Sequence, residues 1–188
     1  MEEIESQFGI KNYSITTDSG ANIKSAMKNK NWVPCFDHRL HTVVQKSWGE
    51  FLENNIECKL TYNRMTAIRS FLKRSNDTES KLPVKMPNEN PTRSWCGYSD
   101  FFTSFVKSYE KIGEIIPDHL DMPADKNFVD KISACLQDFA DIFKKLEAAK
   151  TPTIHLVLKS CKDMFLFMDK WPRQAEEFRK PLKKCIFI

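Results

Sequence analysis

No stretch of this sequence is apolar enough to cross a bilayer. A spanning helix needs about 20 mostly apolar residues. The longest apolar segment, Ile154 to Met168, is interrupted by Lys159, Lys162 and Asp163. The opening Met1-Glu2-Glu3 is acidic where a secretory leader is basic, so no leader is expected. Hairpin signals are almost wholly missing, and no internal repeat stands out, which argues against an all-β fold. Neither charge dominates: 29 basic and 25 acidic side chains leave a net +4. That mild excess suits a nucleic-acid partner without requiring one. The six cysteines (Cys35, Cys58, Cys96, Cys135, Cys161, Cys185) are scattered. Without a leader they read as reduced thiols of the cytosol or nucleus, mostly in the core.

What is present is a chain of 188 residues, 41% hydrophobic and 29% charged, enough for one ordinary globular domain. Ser14 to Thr17 reads as a short buried strand, and Asn22 to Lys30 as a helix. Trp32-Val33 reads as a second, very short strand. From Asp37, placed as an N-cap, Leu40, Val43, Val44, Trp48, Phe51 and Leu52 fall at helical spacing. A second long helix is expected over Glu57 to Arg74, with Met65, Ile68 and Leu72 inward. Ser75 to Thr92, polar and rich in proline, reads as an exposed loop. Tyr98 to Ile116 is helical again, with Phe101, Phe102, Phe105, Tyr109 and Ile112 inward, and Pro117 ends it. Pro123 suits the first turn of the next helix, whose stripe runs Phe128, Val129, Ile132, Leu136, Phe139, Ile142, Phe143, Leu146. Ile154 to Met168 is apolar over more than half its girth and is expected to be buried between neighbours. The expected class is mainly α with a small β remnant.

The chemistry concentrates near the start. The apolar run Tyr13-Ser14-Ile15 stops at Thr16-Thr17-Asp18, and Ser19-Gly20-Ala21-Asn22 turns into a helix. An acid at a strand end projects from the sheet edge, where it can hold a metal ion. Phosphoryl-transfer enzymes place two divalent ions between clustered carboxylates, one activating the attacking oxygen and one stabilising the leaving oxygen. On the local residues alone, the favoured reading of Asp18 is a turn acid that simply caps a helix. Cys35, His38 and His41 invite a zinc reading, but a structural zinc needs four ligands and no second pair follows. The plainer alternative is that His38 bonds a neighbouring backbone group or carboxylate and orders the site near Asp18, a supporting role that the family resemblance described below favours. Arg93 and Trp95 follow the loop: an Arg can contact phosphate and a Trp can stack on an unpaired base, or pack under the next helix. Lys24 and Lys28 belong to one of several basic clusters; the others lie around Arg64 to Arg74 and Arg173 to Lys184.

Taken in order, these segments resemble the middle of an hAT-superfamily DNA transposase. Thr17-Asp18-Ser19-Gly20-Ala21-Asn22 is similar to the segment that carries the family's second catalytic acid. Cys35-Phe36-Asp37-His38-Arg39-Leu40 resembles its Cys-x-x-His motif, and Thr92-Arg93-Ser94-Trp95 its Thr-Arg-Trp, with Ser94 inserted. Pro152 to Leu158 resembles the opening of a long helix. The resemblance covers roughly residues 13–170.

It implies a partial RNase H-like core over residues 1–56, and an all-helical insertion domain over 57–170 with an exposed loop at 75–97. Residues 171–188 would form a basic and apolar tail. It implies Mg²⁺ as the family's cofactor, DNA as partner, and a nuclear location, the cytoplasm being the alternative. The first and third catalytic acids are expected outside this sequence, and Glu176 and Glu177 are poor substitutes in a basic, proline-flanked tail. One acid cannot organise two metals, so the expectation is a domesticated transposon remnant that does not cut DNA and needs no cofactor in isolation. The rivals are a helical protein-interaction module, with a protein partner or a second copy, and a nuclease completed by acids from other chains. Cys185, four from the end, superficially suggests prenylation, but a terminal Ile is atypical, and a chain end made by truncation fits better.

Overall fold

The structure is a computed structural model that describes residues 15–17, 20–74, 76–87, 95–123, 125–147, 156–171 and 175–186. The chain divides into two compact units, Met1–Thr42 and Val43–Ile188.

The first unit holds two parallel strands. β1 (Ile15–Thr17) pairs with β2 (Trp32–Pro34) in the register Ile15 to Trp32, Thr16 to Val33 and Thr17 to Pro34. Parallel strands need a crossover, and the helix α1 (Ala21–Ala26) supplies it. Pro34 can end β2 because the next N–H, that of Cys35, donates to the Thr17 carbonyl at 2.7 Å and closes the ladder. Trp32 Nε1 adds a cross-strand bond to Thr17 Oγ1 at 2.9 Å. No residue of α1 is buried.

α2 (Phe36–Asn54) contains the division between the units. Its first turn closes when the Arg39 N–H reaches the Cys35 carbonyl at 3.1 Å, so Asp37 lies one residue inside the helix instead of capping it. Leu40, Val44, Trp48 and Phe51 are buried along one face. α3 (Ile56–Arg74) starts where Asn55 Oδ1 accepts the Cys58 N–H at 2.9 Å, an N-cap that satisfies a donor the helix cannot. It buries Cys58, Met65, Ile68 and Leu72.

The segment expected as an exposed loop is more structured than its composition suggests. The short helix α4 (Asn76–Ser80) is tied to α3 by Lys73 and Glu79, 2.5 Å apart and mostly covered. Leu82 and Met86 are buried, and Arg69 donates twice to the Pro87 carbonyl, at 3.0 and 3.3 Å. An arginine gripping one carbonyl holds this segment against the helices, which local composition cannot reveal.

α5 (Trp95–Ile115) and α6 (Lys126–Leu146) form an antiparallel pair. Their cross-links fix the register: Ser99 to Gln137 at 3.1 Å, Thr103 to Ser133 at 3.3 Å, and Lys126 to Glu110 at 2.8 Å. α6 begins later than Pro123 suggests, because Asp125 caps it by accepting the Phe128 N–H at 3.1 Å. Pro123 instead lies buried before the cap, its carbonyl bonded by Tyr109 Oη. Every residue of the expected α6 stripe is buried.

α7 (Val157–Lys170) buries Ser160, Met164 and Met168 along one face, while Leu158 and Leu166 face out. Among the described residues its neighbours lie on one side, so it is an amphipathic helix and not the fully enclosed one its composition suggests. The expected tail also folds: α8 (Glu176–Ile186) buries Phe178 and Leu182. Arg179 donates to the Met168 carbonyl at 3.3 Å, and Lys183 meets Asp169 at 2.5 Å, fastening α8 to the end of α7. Phe178 completes an aromatic core, with ring centroids 5.3 Å from Trp48, 5.5 Å from Phe51 and 5.5 Å from Trp171. Trp48 in turn meets Tyr62, Tyr98 and Phe102, so α2, α3, α5 and α8 converge on one ring cluster.

Candidate functional site

The candidate site lies in the first unit, at the C-terminal edge of β1 and β2. Both strands run parallel and stop together, Thr17 level with Pro34. Open parallel sheets bind ligands at this edge, because the loops that leave it cluster there. The Cys35 N–H bonds the carbonyl of Thr17, the residue before Asp18 in sequence. The structure thus brings the start of the Cys35-x-x-His38 motif to the end of β1. Asp18 itself lies outside the described residues.

Cys35 is half-buried between β2 and α2, and its carbonyl accepts the first helical bond of α2. One turn on, His38 is exposed, and its carbonyl accepts from Thr42 Oγ1 at 3.0 Å. His41 is half-buried on the same helix. Among the described residues no three His, Cys, Asp or Glu side chains form a group able to hold a metal ion.

Lys24, in the last turn of α1, and Lys28, just beyond it, are exposed one helical turn apart. Trp95 opens α5 in the second unit; its side chain and all of Arg93 lie outside the described set. Glu176 pairs with Arg179 three residues on, within α8, and the Glu177 side chain lies outside the described set.

Sequence reasoning missed the Trp32-to-Thr17 bond at the same strand end. The Trp at the start of the second expected strand was the available signal, but the pairing that brings it to Thr17 was not expected. It also missed the polar contacts of the second unit. Trp171 Nε1 donates to Asp138 Oδ2 at 3.2 Å, and burial raises the Asp138 carboxyl above its usual range while that hydrogen bond pulls it down. Burial pushes the Cys58 and Cys135 thiols up to about 12, so both stay protonated packing groups. No described helix is long and apolar enough to cross a membrane.

No protein-family model matches the chain. The hobo transposable-element transposase of Drosophila melanogaster is 30% identical to it over 154 residues, which cover 80% of this chain and 23% of that protein. Hobo transposase is an hAT-family enzyme. The chain is accordingly an hAT-transposase-derived sequence that spans 23% of the length of the relative it matches.

Proposed function

We propose that this polypeptide binds DNA in the nucleus as a transposase-derived segment and does not cut it. The observation that carries the reading is the parallel β1–α1–β2 unit, whose C-terminal edge sets the Cys35 backbone against the residue before Asp18. Such a unit is compatible with the later part of an RNase H-like core half over residues 1–56. Residues 57–170 would then be the helical insertion. Asp18 would be one of three metal-binding acids, with Cys35 and His38 ordering the strand end. Mg²⁺, when held by all three acids, would supply charge neutralisation for phosphoryl transfer. Asp18 alone leaves this segment without that chemistry.

Contact with DNA would rest on Lys24 and Lys28, and on Arg93 and Trp95 after the 75–92 stretch. Lysines that neutralise phosphates release counterions, so the affinity must fall steeply with salt. The test is a fluorescence-anisotropy titration of a labelled duplex at low and moderate salt, with Lys24→Ala/Lys28→Ala alongside. The reading expects salt-sensitive binding with a shallower slope in the double variant. Absence of binding at low salt would refute it and leave the helical protein-interaction module.

A further inference from the structure

We infer that the outward face of α7 is a docking surface for an acidic amphipathic helix of another protein. The face is defined by what α7 does not bury. Ser160, Met164 and Met168 make its inner stripe. At about 100° per residue, Leu158, Lys162, Leu166 and Asp169 fall on the opposite side, with Lys159 beside them. Leu158 is 84% exposed and Leu166 is 49% exposed. Single exposed leucines need no explanation, but two on one helix face, eight residues and about 12 Å apart, match the anchor spacing of a helix laid across it.

Charge selects the partner. Lys159 and Lys162 are exposed, and among the described residues neither has an ion-pair partner. Asp169, the acid on this face, is already held by Lys183 at 2.5 Å. Asp163 sits half-buried on the flank. The face therefore presents two apolar anchors beside two lysines that no described carboxylate pairs, which complements glutamates flanking a leucine stripe. A second copy fits worse: antiparallel pairing that matches Leu158 to Leu166 sets the two copies' Lys162 side chains against each other. A bilayer fits worse too, since two leucines bury little hydrocarbon.

The test uses the full chain and a labelled helical peptide with leucines at i, i+4 and i+7 flanked by glutamates. The same peptide with lysines replacing the glutamates is the control. Leu158→Ser/Leu166→Ser and Lys159→Glu/Lys162→Glu are both surface changes, and circular dichroism confirms that each variant stays helical. We expect saturable binding of the glutamate peptide, weakened about tenfold by either double variant, and little binding of the lysine peptide. Equal binding of the two peptides would overturn the proposal, and so would indifference to Leu158→Ser/Leu166→Ser. Phosphatidylserine vesicles that bind in place of the peptide would overturn it in favour of a membrane. Sedimentation velocity showing a dimer lost in Leu158→Ser/Leu166→Ser would overturn it in favour of self-association.

Discussion

Phe178→Ala should be among the most damaging single changes in the helical unit. Phe178 is fully buried, and three rings surround it: Trp48 edge-on, Phe51 tilted and Trp171 stacked. Truncating a buried Phe to Ala typically costs about 3–5 kcal/mol through lost transfer energy and the cavity left behind. Ring pairs at these distances add roughly 0.5–1.5 kcal/mol each beyond area. The site lies between α8, α2 and the end of α7, so it cannot collapse easily, and the upper half of the range, about 4 kcal/mol, is expected. Against a domain stability of about 5–15 kcal/mol, that is a large share. Urea unfolding of the full chain measures the loss, and hydrogen exchange of α8 should rise with it. A loss within about 0.5 kcal/mol, the usual range for a surface change, would refute the packing of α8 against these rings.

Other outcomes are as specific. Trp32→Phe removes the bond to Thr17 Oγ1 and should destabilise the first unit by about 1 kcal/mol; a double-mutant cycle with Thr17→Val that showed no coupling would contradict the bond. Burial holds the Asp138 carboxyl above its unfolded value, so the native state keeps its proton longer than the unfolded chain. Its contribution is most favourable below the unfolded pKa and weakens as pH rises through the folded one. Asp138→Asn should therefore gain on the natural protein as pH increases through that window, and a pH-independent difference would contradict the burial. Cys58 and Cys135 should resist alkylation at mild alkaline pH until the chain is unfolded, because both thiols titrate near 12. Labelling of either at the rate of the half-buried Cys35 would show the core to be open.

The sequence made the long helices legible because their burial is one-sided and periodic. The α6 stripe from Phe128 to Leu146 is the clearest case, and Leu40, Val44, Trp48 and Phe51 on α2 follow the same rule. Periodicity fails where tertiary partners decide. α7 carries more apolar side chains than its described neighbours cover, Leu158 and Leu166 being exposed, so composition overstates its burial. α8 hides its signal behind basic residues and Pro181. Its Phe178 and Leu182, four apart, are both buried, and Phe178 packs against the Trp48 and Trp171 rings. The 82–87 segment is held by Arg69, a long-range contact no local pattern records. Of the candidate site, the strand end and the Cys35 turn were readable from their spacing. The parallel register that joins them was not, since two three-residue strands carry no pairing signal.

The central claim is that this segment binds DNA and leaves it intact. Incubating the full chain with supercoiled plasmid and Mg²⁺ at low salt, then resolving the products by gel before and after removal of protein, tests both halves at once. The account predicts a retarded plasmid that is recovered supercoiled. Nicking or linearisation that disappears in Asp18→Ala, or a plasmid never retarded at all, would contradict it.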